Sequence, residues 1–189
     1  MKTALALFFA FIITFQAKSQ TADCALVSYK NYKKNEKGVI AFCFNNSNTL
    51  MVNNYTISDQ ELISALLITP NGVEMRECEA SWKKDYKPMV DMPSEKSSDF
   101  QGYKVQFVKL TDGTQTAKIW FTKDIKFFNS QNYWLFYGAL GQQIQEKYAD
   151  QFPVALQLSE NSSGKTMYEH TLIEKTNIPI KSEVFKPLR

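Results

Sequence analysis

Histidine is almost absent from this chain, and its scarcity restricts the kinds of active site that the sequence can build. His170 is the one histidine among 189 residues, so a Ser-His-Asp or Cys-His site would have to use it. No nucleophile-elbow glycine pattern occurs, and the acidic cluster of Glu74, Glu77 and Glu79 lacks a histidine at metal-ligand spacing. We therefore predict no catalytic residue, no metal and no cofactor, with His170 in a strand facing solvent or a polar pocket. An enzyme using His170 with Glu174 or a tyrosine is the weaker alternative.

Glycine and long apolar runs are also scarce. Of seven glycines, Gly138 and Gly141 lie inside a helical pattern rather than at a strand-to-helix turn, which argues against a phosphate-binding loop. We expect these two glycines to let a helix approach a sheet closely. Beyond residue 15 no apolar stretch approaches the roughly 18 residues that a membrane-spanning helix needs, so no transmembrane segment is predicted.

The N-terminus has the layout of a secretory signal peptide. Met1-Lys2 is followed by the apolar run Ala4–Phe15 and by small residues before Gln20. The apolar run is roughly 18 Å long as a helix, too short for a hydrocarbon core of about 30 Å. The sequence thus predicts a signal peptide over residues 1–19 and one exported domain over residues 20–189, located in the periplasm or outside the cell.

Neither sign of charge dominates. The formal net charge is +3, and two of the lysines responsible, Lys2 and Lys18, precede the predicted cleavage site. The remaining lysine clusters contain or adjoin acids, as solvated turns do. Trp120, between Lys104 and Lys118, provides one aromatic ring, whereas a surface that stacks nucleic-acid bases needs several. No nucleic-acid partner is predicted.

Three cysteines allow one disulfide and leave one free thiol. A hairpin joining Ser28–Lys33 to Val39–Phe44 would place Cys43 opposite residue 29 or 30, with Cys24 roughly 16 Å away along the strand. Disulfide Cα atoms lie within about 7 Å. We therefore predict that Cys78 forms the bridge, with either of the other two cysteines. Three unpaired buried thiols are the alternative.

Strand-like segments joined by short turns make up most of the chain and favour antiparallel pairing. One exception is Ser58-x-x-Glu61, a capping-box pattern that predicts a short helix through Leu67. A second helix is predicted by apolar residues that recur every four positions. These residues are Phe136, Leu140, Ile144, Tyr148 and Phe152.

The segment 103–121 predicts a hairpin with one apolar face. A three-residue loop at Thr111–Gly113 pairs Val105 with Ile119 and keeps Phe121 on the same face. The opposite face, around Trp120, is then mostly solvated.

Together these elements predict an α+β fold in which a sheet and a crossing helix enclose an apolar cavity. Such a cavity would bind a lipid or another apolar small molecule by shape. The candidate lining residues are Phe107, Ile119, Phe121, Phe136, Leu140 and Ile144. The alternative is a filled core, with the face around Trp120 and the loop 83–100 binding a partner protein of the cell envelope.

Four segments resemble exported Bacteroidota proteins of unknown function that are close to the GLPGLI group: Gln101–Phe107, Ala117–Ile125, Phe152–Leu156 and Ile178–Pro187. The resemblance covers about residues 100–188. Relatives often carry a cysteine where this chain has Val105.

The fold implied by that resemblance is the one of the periplasmic lipoprotein carrier LolA and the lipid-binding protein LppX. It is an incomplete barrel, a curved antiparallel sheet with helices packed on its concave side. The resemblance thus implies a periplasmic protein that binds lipid, although no LolA site residue matches a position here. Asp23 precedes Cys24 where a lipobox requires a small residue, so no lipid anchor is expected.

Overall fold

The computed structural model describes residues 19–57, 60–77 and 87–187. Its strands are β1 Ser19–Asn31, β2 Glu36–Phe44, β3 Thr49–Ile57, β4 Gln60–Thr69, β5 Gly72–Arg76, β6 Asp99–Phe100, β7 Tyr103–Lys104, β8 Gln106–Thr111, β9 Gln115–Lys126, β10 Gln151–Glu160 and β11 Thr166–Lys181. A helical segment of three pieces precedes β10: α1 Ser130–Trp134, a 3₁₀ turn Leu135–Tyr137, and α2 Gly138–Tyr148. A second 3₁₀ turn, Ser182–Phe185, follows β11.

Nine of the strands form one open antiparallel sheet. Their order is β5-β4-β3-β2-β1-β11-β10-β9-β8, while β6 and β7 pair with each other. This confirms the predicted antiparallel sheet with a helical segment. The predicted signal peptide stays a prediction, since residues 1–18 lie outside the described residues.

Both faces of the sheet are covered, which explains why the central strands are apolar on both sides. Residues 39–43 of β2 are all buried. On one face, Phe42 contacts the rings of Phe127 and Tyr133 near the helical segment. On the other face, Val39 and Cys43 belong to a cluster with Phe185 of the second 3₁₀ turn. A strand buried on both faces shows a continuous apolar run instead of alternation.

The helix predicted over residues 58–67 is wrong. Residues 62–67 lie in β4, where Leu62 pairs with Tyr55 and Leu67 pairs with Leu50 of β3. Ala65 and Leu67 are buried on one face of the sheet. The neighbouring strand provides a complete hydrogen-bond ladder, which outweighs the local preference expressed by a capping pattern.

The first hairpin turns earlier than predicted. β1 ends at Asn31, which pairs with Glu36, so the turn comprises residues 32–35. Asn35 takes a left-handed conformation with φ 50°, which asparagine tolerates better than most residues. The predicted strand end at Lys33 was therefore two residues too late.

That turn brings two cysteines together. Cys24 pairs with Cys43 across β1 and β2, and the two form a disulfide with a Cα–Cα distance of 4.0 Å. The predicted bridge to Cys78 is therefore wrong for both of its proposed partners. The error arose because the turn was predicted too late in the chain. The predicted register placed Cys43 opposite residue 29 or 30 of β1 instead of opposite Cys24. Cys78 itself lies outside the described residues.

The register of the β8–β9 hairpin also differs from the prediction. Val108 pairs with Ile119, and Phe107 pairs with Trp120. The turn moves because the Oδ1 atom of Asp112 accepts the N–H groups of two following residues, at 2.9 Å each, as turn-initiating aspartates do. Since the shift is an odd number of residues, Phe107 moves to the face opposite Ile119.

The face around Trp120 is covered, so the prediction of a solvated face is wrong. Trp120 is 2% exposed, its Nε1–H donates to the carbonyl of Ser94 at 3.1 Å, and its ring lies 5.0 Å from that of Phe107. Lys118 forms an ion pair of 2.7 Å with Glu95. The segment before β6 therefore packs over this face of β8 and β9.

The helical segment crosses the other face and bends in the middle. α1 contacts β4 and β5, whereas α2 contacts β8. Gly138 has φ 56° and ψ −130° at the bend, a conformation that glycine tolerates and side chains disfavour. A Cβ on Gly141 would lie 1.8 Å from the carbonyl oxygen of Trp134. The glycines thus let two helical pieces approach each other, not a helix and a sheet as predicted.

No helix in the described ranges has both the length and the apolar character that crossing a membrane requires.

Candidate functional site

An open cleft of about 400 Å³ lies where the bend of the helical segment meets the sheet. Five parts of the fold contribute to it: the end of β1, the β8–β9 turn, the helix bend, β10 and β11. The lining residues are Asn31, Asp112, Gln115, Phe136, Tyr137, Gly138, Ala139, Leu158 and Tyr168. The cleft combines aromatic and aliphatic side chains with amides and one carboxylate.

Phe136 is the most exposed large apolar residue of this lining. Its side chain is 64% exposed, and the adjacent Leu135 is 59% exposed. Because Gly138 turns the chain directly after the 3₁₀ turn, both side chains lie on the outer side of the bend instead of in the core. Of the two, only Phe136 lines the cleft, and an exposed apolar side chain beside a second one is a feature of binding surfaces.

A buried histidine lies below the cleft. His170 is 0% exposed, and its Nε2 atom lies 3.1 Å from the carbonyl oxygen of Pro153. Since a carbonyl only accepts, Nε2 carries the proton, and Nδ1 accepts the hydroxyl of Tyr168 at 3.3 Å. Burial lowers the pKa of His170 to about 4, so the ring is neutral at physiological pH. Of the two predicted settings of His170, the solvent-facing one is wrong, and the buried ring has polar partners on both nitrogens.

Further tyrosines extend this polar cluster. Tyr29 stacks on Tyr168 with 5.8 Å between ring centroids, and its hydroxyl donates to the carboxylate of Glu36. The hydroxyl groups of Tyr133 and Tyr137 lie 2.9 Å apart.

Burial keeps these tyrosines protonated. It raises the pKa of Tyr137 to about 12, and raises the pKa values of Tyr29 and Tyr168 as well. Neutral tyrosines beside a neutral histidine can donate and accept hydrogen bonds. Their pKa values lie far from those suited to proton transfer near pH 7.

Four of the predicted lining residues fill the contact between helix and sheet. Ile119, Phe121, Leu140 and Ile144 are 2% exposed or less. The ring of Phe121 stacks on Tyr148 with 5.0 Å between centroids and 6° between planes. Side chains therefore occupy this part of the interface.

The other two predicted lining residues lie apart from each other. Phe136 lines the cleft. Phe107 packs against Trp120 on the opposite face of the sheet.

Sequence reasoning missed most of the cleft, because its residues come from distant segments. One signal was present in the aromatic run Tyr133–Tyr137, directly before Gly138. A run of five large residues, four of them aromatic, followed by glycine indicates a bend better than it indicates a straight amphipathic helix.

A second open cleft, of about 360 Å³, has a more charged lining. It is bounded by Lys104, Val105, Gln106, Phe121, Lys123, Asp124 and Gln151. The carboxylate of Asp124 accepts the backbone N–H of Lys104 at 3.3 Å. Within the described ranges, no group of three His, Cys, Asp or Glu side chains could hold a metal ion.

Comparisons with known proteins show similarity to one protein family and indicate no activity. No curated protein matches the chain. One solved structure, titled "Structure of PNGF-II in C2 space group", resembles it with a TM-score of 0.39 and 14% identity over 88% of this chain. The chain spans only 30% of that protein's length. Residues 94–187, which include β6 to β11 and the helical segment, match a protein family described as a domain of unknown function. That family is DUF4412, and this part of the chain is similar to it.

Proposed function

We propose that this protein is an exported, non-enzymatic binding protein of the periplasm. It holds a lipid or another apolar ligand in the cleft between the sheet and the bent helical segment. The observation that carries this proposal is the exposed Phe136 at a cleft of about 400 Å³ with Leu158 and Tyr168 in its lining. The volume falls within the range of about 300–1,000 Å³ that is typical of small-molecule sites.

The helix bend supports a binding role because it leaves the side chain of Phe136 exposed to solvent instead of buried in the core. An uninterrupted helix would direct residues four positions apart to the same side, and Leu140 and Ile144 are buried. Gly138 interrupts this row of apolar residues, so Phe136 does not follow Leu140 and Ile144 into the core and is exposed. A chain gains nothing in stability from an exposed phenylalanine, so a ligand is a reason for its position.

The chemistry of the cluster below the cleft supports binding over catalysis. His170 is neutral and both of its ring nitrogens have partners within the fold. Tyr137 and Tyr168 have pKa values above the ordinary value. These groups orient one another and stiffen the wall of the cleft.

The finer fold and the localisation are part of the same proposal. The open strand order from β5 to β8 and the crossing of the helical segment from β4 to β8 support an incomplete barrel with the helix on its concave side. The sequence resemblance to exported proteins close to the GLPGLI group, with the LolA and LppX fold that it implies, supports a periplasmic lipid carrier. The predicted signal peptide supports export.

The alternative role in binding a partner protein loses the Trp120 part of its predicted surface, while the loop 83–100 stays a prediction. Trp120 was the centre of that surface, and it is 2% exposed beneath the segment that contains Ser94.

Native mass spectrometry of the protein, gently extracted from its own envelope, tests the proposal. We expect a bound lipid, and we expect binding of the neutral fluorescent probe N-phenyl-1-naphthylamine. Phe136→Ala removes about 1 to 2 kcal/mol of apolar contact, so probe affinity should fall about tenfold. Met75→Ala is the matched control, because Met75 is 79% exposed and lies outside the cleft lining. Absence of both lipid and probe binding, or an equal effect of the two variants, would contradict the proposal.

A further inference from the structure

The cleft has chemically distinct parts, and their arrangement restricts the ligand further. We propose that the ligand is an amphiphile with an uncharged, hydroxyl-bearing head group, and not one with a carboxylate or phosphate head. This inference rests on the proposed function and names the ligand class for the same cleft.

The helix bend and β10 provide the apolar part. Phe136 and Ala139 belong to the helical segment, and Leu158 belongs to β10, where it is half-buried. The ring of Tyr168 adds an aromatic surface, stacked from behind by Tyr29. An alkyl chain lying here would remove the exposed surface of Phe136 from water, which favours binding by roughly 25 cal/mol for each Å² covered.

The end of β1 and the β8–β9 turn provide the polar part. Asn31 and Gln115 contribute side-chain amides. An amide both donates and accepts hydrogen bonds, which suits hydroxyl groups. The Oδ1 atom of Asn31 accepts the N–H of Lys34 at 3.2 Å, and its NH₂ group contributes two further donors.

Asp112 sets the charge of the polar part. Its Oδ1 atom accepts the hydroxyl of Thr114 at 2.8 Å and the backbone N–H groups of Thr114 and Gln115 at 2.9 Å. These bonds lower the pKa of Asp112, so the carboxylate is charged at neutral pH. Among the described lining residues there is no lysine, arginine or histidine. An anionic head group would therefore meet a carboxylate without a compensating cation in the lining.

Two amphiphiles that share a twelve-carbon chain test this inference. Monolaurin has an uncharged glyceryl head, and laurate has a carboxylate. Each is titrated below its aggregation concentration against bound N-phenyl-1-naphthylamine at about pH 8 and low salt. We expect monolaurin to displace the probe at a concentration about fivefold lower than laurate, the effect of one unit charge at roughly 4 Å in a solvated cleft.

Asp112→Asn tests the cause. Asparagine keeps the Oδ1 acceptor that holds the turn, so the hairpin should fold as before. We expect the variant to bind laurate about fivefold more tightly than the original chain, with monolaurin affinity unchanged. Asp91→Asn is the control, because Asp91 is exposed and lies outside the cleft lining.

The outcomes separate the two proposals. Equal or tighter binding of laurate by the original chain, or no response of laurate affinity to Asp112→Asn, overturns the inference about the head group and leaves the proposed function standing. Failure of the probe and both amphiphiles to bind overturns the proposed function itself.

Discussion

His170 makes the stability of this protein depend on pH, and the structure gives the size of the effect. The ring is fully buried, with Nε2–H donating to Pro153 and Nδ1 accepting from Tyr168. Its pKa falls from the ordinary value of 6.5 to about 4 on folding. Protonation would require a charge in the core and would break the bond from Tyr168.

The sign of the effect follows from proton linkage. Between those two pKa values the unfolded chain binds a proton at this histidine and the folded chain does not. Stability is therefore complete above pH 6.5 and decreases as the pH falls toward 4. Between about pH 7 and about pH 4.5 the loss is about 2 kcal/mol, a large part of the stability of an ordinary domain.

His170→Gln isolates this contribution. Glutamine places an N–H donor close to the position of Nε2, so the bond to Pro153 can form, and it does not titrate. We expect the difference in free energy of unfolding between the original chain and the variant to change by about 2 kcal/mol over that pH range.

Urea denaturation followed by tryptophan fluorescence at several pH values provides the measurement. Because the carboxylates titrate equally in both proteins, their contributions cancel in the difference. Parallel pH profiles for the two proteins would refute the reasoning, since they would mean that His170 titrates alike in the folded and unfolded states.

Three further predictions concern stability. The double variant Cys24→Ala/Cys43→Ala opens a loop with a sequence separation of 19 residues and should lower the free energy of unfolding by about 3 kcal/mol; an unchanged urea midpoint would contradict the disulfide. Gly141→Ala should cost at least about 2 kcal/mol, because the new Cβ meets the carbonyl of Trp134; a neutral result would mean that the helical pieces are farther apart. Trp120→Phe removes the hydrogen bond from Nε1 to the carbonyl of Ser94 and should lower the free energy of unfolding by about 1 kcal/mol. It should also speed proteolysis of the loop before β6. Unchanged cleavage would mean that other contacts hold the loop.

The sequence predicted the helical segment only in part, and the reason lies in its bend. Leu140 and Ile144 follow the spacing of an amphipathic helix, and both are buried as that spacing requires. Phe136 fits the same spacing but precedes Gly138, whose positive φ redirects the chain. Phe152 fits it as well, yet it lies in β10. Spacing alone does not show where a helix begins, bends or ends.

Strand register failed for a similar reason. The sequence placed the β8–β9 turn so that one face of the hairpin stayed apolar, whereas in the structure side-chain hydrogen bonds and a left-handed residue place the turns. Asp112 fixes the β8–β9 turn through its side chain, and Asn35 fixes the β1–β2 turn through its left-handed backbone. Because side chains alternate between faces, a register shifted by three residues moved Phe107 to the face of Trp120. The turn over residues 32–35, earlier than predicted, decided the disulfide.

By itself, the sequence determined that this chain builds an antiparallel sheet with a helical segment, because alternation, short turns and apolar spacing act between near neighbours. Its composition also limited any histidine-dependent catalytic site to His170. Only the tertiary structure decided that Asn31, Asp112, Phe136 and Tyr168 share one cleft and that His170 is buried beneath it. Those residues meet because strands far apart in the chain pair side by side, and no local pattern encodes which distant strands do so.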